Sequence, residues 1–360
     1  MEQFSCKTKL ISGAGAVAAL DTFGAKRLFL VTDPYFMKNG TARRVAEAAA
    51  ADAVEMFDGV QPDPTVELVA EGTAKLRAFD PDLVVALGGG SAMDAAKAMV
   101  YFSKTAARLV AIPTTSGSGS EVTDFAVLTH DRVKHPLVDP QLQPSAAILD
   151  SDLLTELPRG LIADTGFDVL AHALEACAAT GAGTMTDLLA REAFSMAFAY
   201  LPASYNGRKD ARLPIHRAAT LAGLAFNQAG LGLCHAMSHA LGGIFHLPHG
   251  RLNAILLPAV VCCNAHVAGH KYAELARAAG ISGSADSVAV RNLRNGLIRL
   301  RKELNLPETL AQAGIPPRDV WSHTGEIVAA TLADPCCKTN PMVVEDFLVR
   351  RLLEEVTGRV

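Results

Sequence analysis

The chain has 360 residues and a formal net charge of −4, with 50% hydrophobic and 19% charged residues. At roughly 150 residues per domain this suggests about two domains, with enough chain to bury a core without disulfides or structural metals. The acidic balance argues against a nucleic-acid partner, and although mean hydropathy is +0.22, no stretch of about 18 residues lacks polar punctuation, so no membrane span is expected.

Residues 1–4 lack the basic and apolar regions of a secretory leader. The first 150 or so residues then alternate short apolar strands with helices. Strands are predicted at 28–32, 54–57, 83–87 and 109–112, and helices at 41–51, 66–79 and 91–103. That alternation predicts a doubly wound parallel sheet covered by helices on both faces. Beyond about residue 155 the strand signals fade. Ala- and Leu-rich helical stretches follow at 161–180, 186–200, 215–229, 233–243, 252–268 and 287–304. Pro158, Pro202, Pro214, Pro248, Pro307, Pro316 and Pro317 punctuate them, as at helix ends. The predicted architecture is an α/β dinucleotide-binding domain over 1–155 and an all-α metal-binding and substrate domain over 156–360. Cys6, Cys177, Cys234, Cys262, Cys263, Cys336 and Cys337 have no CxxC spacing and read as reduced thiols of a cytoplasmic protein.

Gly88, Gly89, Gly90, Ser91 and Asp94 sit where a predicted strand turns into a helix. Glycines allow backbone to approach a pyrophosphate, and a helix N-terminus favours the anion. A tight turn with a capping box between Ser91 and Asp94 is the structural alternative. A second loop of small and hydroxyl residues, with Thr114, Thr115 and Ser118, follows the next strand. Two such loops at one sheet edge point to a nucleotide. Asp33 ends the strand at 28–32. It suits a ribose hydroxyl and repels a 2′-phosphate, or else starts a turn before Pro34.

Asp168 and His172 are four residues apart, hence on one face of a helix, as are His235 and His239; His246 and His249 follow. Imidazoles with a carboxylate suit a first-row divalent metal with an open position. Each histidine alone reads as a core or cap residue, but a cluster in an apolar helical region is costly without a shared partner. Cys234 points about 100° away from His235 on a helix and is an unlikely co-ligand.

These segments, in order and spacing, resemble the iron-containing (group III) alcohol dehydrogenases over essentially the whole chain. The carriers are Gly88 to Asp94 with Lys97, and residues 113–123, 166–176 and 235–250. Residues 4–13, 227–233 and 245–250 are similar to the propanol and ethanol dehydrogenases of propanediol and ethanolamine utilisation. The resemblance implies a dehydroquinate synthase-like two-domain fold. It implies Asp168, His172, His235 and His249 as ligands of Fe²⁺, with Zn²⁺ as a substitute. It implies an NAD(H) site with Asp33, Gly88, Gly89, Gly90, Ser91, Asp94, Thr114, Thr115, Ser118, Thr123 and Val127, and Lys134 beside the cofactor. Phe226 matches an aromatic wall of the substrate cavity. His239 matches a histidine near the metal that does not ligate it, either a proton relay or a packing residue. Ala240 stands where many members carry proline, and His246 is not a standard ligand.

The implied activity is interconversion of short primary alcohols and aldehydes, propanol or ethanol first. Lactaldehyde, 1,3-propanediol, 4-hydroxybutyrate or glycerol are the enzymic alternatives, and a silent nucleotide-binding scaffold is the non-enzymic one. A cytoplasmic homo-oligomer, without nucleic-acid or membrane partners and associated with a protein-shelled microcompartment, completes the expectation.

Overall fold

The computed structural model describes residues 3–131 and 133–358. Ser5–Glu156 forms one compact unit and the chain from Leu157 onward forms the other.

In the first unit, β1 (Lys9–Gly13), β2 (Arg27–Val31), β3 (Ala53–Phe57), β4 (Leu83–Gly88), β5 (Arg108–Pro113) and β8 (Ala146–Asp150) make one parallel sheet in the order β1-β8-β5-β4-β2-β3. A hairpin of β6 (Phe125–His130) and β7 (Val133–Val138) lies outside it. The helices are α1 (Pro34–Lys38), α2 (Thr41–Ala48), α3 (Val66–Phe79) and α4 (Gly90–Ser103). Side chains alternate between two cores, as the period of a strand requires. Leu28, Leu30, Leu83, Val85, Leu87, Val110 and Ile112 enter the core that includes Ala42 and Val45 of α2. Phe29, Val31, Val84, Ala86, Leu109 and Ala111 enter the core that includes Leu76 of α3 and Met99 of α4. From β2 the chain steps outward to β3, then returns past β2 to β4. The direction of winding thus reverses between β2 and β4. Ligands of open α/β sheets bind at such a reversal, outside the carboxyl ends of the strands.

The second unit is helical: α5 (Arg159–Ala178), α6 (Thr184–Tyr205), α7 (Arg212–Ala229), α8 (Leu233–Phe245), α9 (His249–Ala278), α10 (Asp286–Glu303), α11 (Pro317–Ser322), α12 (Thr324–Ala333) and α13 (Asp346–Thr357). Helix α5 is buried almost all round from Ile162 to Ala178, as a helix without a polar face must be. Helix α9 is long and apolar enough to cross a membrane, but 67% of its most apolar window is buried inside the protein, and Asn253, Asn264 and His266 interrupt it. It is a core helix.

Three local expectations are corrected. Pro202 lies inside the last turn of α6 rather than beyond its end. Pro214 sits within the first turn of α7, where a missing N–H is tolerated. Helix α9 starts at His249 and continues through Pro258 to Ala278, well beyond the predicted 252–268. Pro158, Pro248 and Pro316 are helix N-caps.

Candidate functional site

The glycine edge forms where β4 gives way to α4. Gly88 adopts φ +153°, and a Cβ there would stand 2.6 Å from that of Ala92 and 3.8 Å from Asp33 Oδ2. Gly89, not Ser91, is the N-cap of α4, so the alternative of a Ser91–Asp94 capping box is not realised. Asp94 instead accepts from Ser120 Oγ at 2.6 Å and from the Val127 N–H at 3.0 Å. The second loop lies directly against the first. A Cβ on Gly89 would meet Thr115 Oγ1 at 3.3 Å, and one on Gly90 would meet Ser118 Oγ at 3.3 Å. The Thr114 N–H donates to the Gly88 carbonyl at 2.9 Å. Two loops without bulk and one uncapped helix start therefore share this edge, which is the arrangement that receives a phosphate.

Asp33 reaches this edge from the end of β2. Its Oδ1 caps α1, accepting from the Tyr35 and Phe36 N–H groups at 2.9 and 3.2 Å. The turn-starting alternative is thus realised, while Oδ2 faces Gly88. Thr123 is fully buried, and its hydroxyl accepts from Lys97 Nζ at 3.0 Å. Lys97 also donates to Ser120 Oγ and the Phe125 carbonyl, both at 2.9 Å. Burial pushes its amine down to about 8, against the pull of Asp94. Lys97 and Asp94 therefore latch α4 to the segment carrying Thr123 and Val127. Lys134 is half-exposed and pairs with Asp63 at 2.7 Å.

The second cluster lies in the helical unit. Asp168 and His172 project from α5, His235 and His239 from α8, and His249 opens α9. The Nε2 atoms of His172, His235 and His249 stand 3.9, 3.7 and 3.5 Å from one oxygen, Asp168 Oδ1. The donor atoms of Asp168, His172 and His235 lie within 4.8 Å of one another. His249 joins them through its contact with Asp168. Gly250 makes that approach feasible, since a Cβ there would fall 1.9 Å from the Asp164 carbonyl oxygen of α5. Burial alone would raise the Asp168 carboxyl, yet His172, His249 and His235 hold it far below the usual range. Burial would depress the imidazole of His235, but the nearby carboxylates of Asp168 and Glu175, the latter hydrogen-bonded to Nδ1, lift it to about 9. At His249 burial wins instead and holds the imidazole well below its usual value, favouring the neutral form that can offer Nε2 to a cation. One carboxylate and three imidazole nitrogens facing it make a donor set that fits a divalent first-row cation.

Sequence reasoning overlooked three supporting residues. Glu175 is buried, and its carboxylate accepts from His235 Nδ1 at 2.6 Å and from the N–H groups of Gly232, Cys234 and His235 at 3.1, 2.6 and 3.2 Å. It both caps α8 and orients a ligand candidate. Its signal was present in the spacing: 168, 172 and 175 follow one helix face. Asn253, four residues after His249, donates to Asp168 Oδ1 at 2.7 Å. Asp334 accepts from His239 Nδ1 at 2.8 Å; ninety-five residues of separation gave no sequence signal. His239 is 41% exposed and stacks on His249 with centroids 5.1 Å apart. Phe226 of α7 is buried and stacks on His172 at 4.4 Å. The Cys234 thiol donates to the Asn253 side-chain and main-chain oxygens at 3.5 and 3.8 Å. His246 ends α8 with φ +56°, and Ala240 sits within an intact helix. Arg251 forks onto Asp164 with bonds of 3.2 and 3.0 Å.

Residues 7–151 match the family model for iron-containing alcohol dehydrogenase, and residues 162–357 match the C-terminal model of the Fe-containing alcohol dehydrogenase family. The 1-propanol dehydrogenase of Salmonella typhimurium is 42% identical, with 99% of this chain and 100% of that protein covered. The NADPH-dependent butanol dehydrogenase of Clostridium saccharobutylicum is 35% identical over 98% of this chain and 97% of its own length. Among solved structures, the iron-containing alcohol dehydrogenase of Thermococcus thioreducens superposes with a TM-score of 0.91 at 32% identity, covering 98% of this chain and 99% of that one.

Proposed function

Because the chain belongs to the iron-containing alcohol dehydrogenase family, we propose that it interconverts short, uncharged primary alcohols and their aldehydes, with NAD(H) as the hydride carrier. Members of this family generally use NAD(H) and a metal. In this reading the unit Ser5–Glu156 takes the dinucleotide and the helical unit takes Fe²⁺, for which Zn²⁺ is a substitute. The observation that carries it is the convergence of three imidazole Nε2 atoms on Asp168 Oδ1. Asp168, His172, His235 and His249 would hold the metal. When bound, the metal supplies a Lewis acid for the substrate oxygen and the dinucleotide accepts or returns the hydride.

The chain's own residues do the rest. Phe226, stacked on His172, offers an apolar wall to a short alkyl group. His239, oriented by Asp334 and partly exposed, passes the alcohol proton to solvent. Asp33, with Oδ2 beside Gly88, favours a free ribose hydroxyl over a 2′-phosphate. Gly89, Gly90, Ser91, Thr114, Thr115 and Ser118 receive the pyrophosphate, and Asp94, Thr123, Val127 and Lys134 support that edge. Arg251 is committed to Asp164, which supports a substrate without a carboxylate or phosphate of its own. A cytoplasmic homo-oligomer, associated with a protein-shelled microcompartment, belongs to the same reading.

The test compares kcat/KM for propionaldehyde, lactaldehyde and succinic semialdehyde with NADH and anaerobically iron-loaded enzyme. We expect propionaldehyde to lead. A tenfold preference for the charged semialdehyde, about 1.4 kcal/mol of transition-state discrimination, would overturn the uncharged pocket.

A further inference from the structure

Asn253 lies one turn into α9 and is completely buried. Its amide touches all three helices that carry the metal-ligand candidates. On the α8 side, Oδ1 accepts from Ser238 Oγ at 2.5 Å and from Cys234 Sγ at 3.5 Å. On the α5 side, Nδ2 donates to Asp168 Oδ1 at 2.7 Å. The same nitrogen stands 3.2 Å from His249 Nε2 and 3.4 Å from His235 Nε2. The amide's orientation follows from its neighbours. An ionised carboxylate can only accept, so the NH₂ must face Asp168, and the hydroxyl and thiol then serve the amide oxygen.

The oxygen that Nδ2 holds is the one on which the three imidazole nitrogens converge. An aspartate side chain swings about two torsions, and a buried carboxylate without a donor turns to find one. The amide removes that freedom and ties it to the register of α8 and α9.

We propose that Asn253 is a positioning residue of the metal centre: it locks the Asp168 carboxylate in the rotamer that presents Oδ1 to His172, His235 and His249, with Ser238 fixing the direction of its amide. This rests on the proposed metal reading of the four-residue cluster. Outer partners of this kind are worth 10–100-fold in metal affinity (order of magnitude, about one to two decades).

The experiment uses the full-length, demetallated protein and Co²⁺ as the probe, read by its visible absorption bands and by competition with a chelator. The variants are Asn253→Leu, which keeps the branching and the number of heavy atoms and removes both polar groups, and Ser238→Ala, which leaves the amide in place with only the Cys234 thiol on its oxygen. We expect wild type to take up one Co²⁺ per chain. Asn253→Leu should bind it roughly 10–100-fold more weakly and with altered band positions, because the carboxylate no longer meets the ion in one geometry. Ser238→Ala should shift both readouts the same way and less far. A residue that only packed the core would lower the melting temperature of the metal-free chain and leave the bands of the bound ion where they were. Unchanged affinity and bands in Asn253→Leu overturn the proposal; if that variant does not fold, the same result in Ser238→Ala overturns it. Wild type that takes up no Co²⁺ overturns the metal reading itself, a separate and recognisable failure.

Discussion

Removing the carboxylate of Glu175 tests how the candidate metal-ligand cluster is held, because one side chain serves both a ligand candidate and a helix start. Oε2 accepts from the Gly232 and His235 N–H groups and from His235 Nδ1, and Oε1 accepts from the Cys234 N–H. Glu175→Ala leaves these four donors buried without an acceptor. At roughly 1 kcal/mol each, the low end for a stranded buried group, the loss is about 4 kcal/mol, a large share of a typical folding stability of about 5–15 kcal/mol. His235 also loses the partner that aims Nε2 at Asp168, so metal affinity should fall by roughly 10–100-fold, or about 1.4–2.7 kcal/mol. Glu175→Gln separates the two effects. Its amide keeps one oxygen, and with that oxygen at the Oε2 position the bond to His235 persists in neutral form. The new NH₂ then opposes the Cys234 N–H, at a cost of about 1–3 kcal/mol. Urea unfolding of the metal-free chain measures the first quantity, and chelator competition on the folded variants measures the second. The order expected in both is wild type, then Glu175→Gln, then Glu175→Ala. A folded Glu175→Ala protein with wild-type metal affinity would refute the orienting role.

Two further outcomes are expected. Asp33→Ser should raise kcat/KM for NADPH relative to NADH, since the charge facing Gly88 is gone while a hydroxyl still caps α1; Asp33→Gly should raise it too but lose roughly a few tenths to about 2 kcal/mol of folding stability with the cap. An unchanged cofactor ratio in both variants would mean that the ribose is read elsewhere. Lys97 should make stability rise from about pH 8 towards 10.5, because the folded chain releases its proton near 8 while the unfolded chain keeps it to the ordinary value. The penalty is complete below that window and amounts to about 3 kcal/mol. The stability difference between wild type and Lys97→Met, followed from pH 7 to about 10.5 by denaturant unfolding, should rise in favour of wild type; a flat difference would remove the buried charge as its cause.

Local pattern was enough to read four strands of the sheet and the faces of the helices. The runs at 28–31, 83–87 and 109–112 are apolar throughout, as expected of strands covered on both sides, and they lie in β2, β4 and β5. Strands β1, β6, β7 and β8 escaped notice: polar residues interrupt β1 and β7, while the short apolar runs at 125–128 in β6 and 146–149 in the buried β8 were passed over. Spacing of four residues put Asp168 with His172, and His235 with His239, on shared helix faces, because that relation is fixed within one helix by its pitch. Which helices meet is a different matter. That His249 opens α9 beside Asp168 depends on Gly250 lying against the Asp164 carbonyl, a contact between residues eighty-six positions apart. The same holds for the choice of partner by each polar group. Asp94 was readable as half of a capping box but bonds Ser120 and Val127, and Arg251, two residues after His249, forks onto Asp164 of another helix. A side chain's direction from its own helix follows from local geometry. The group it meets is set by the packing of distant segments, where burial forces every donor and acceptor to take whichever partner the fold brings within reach.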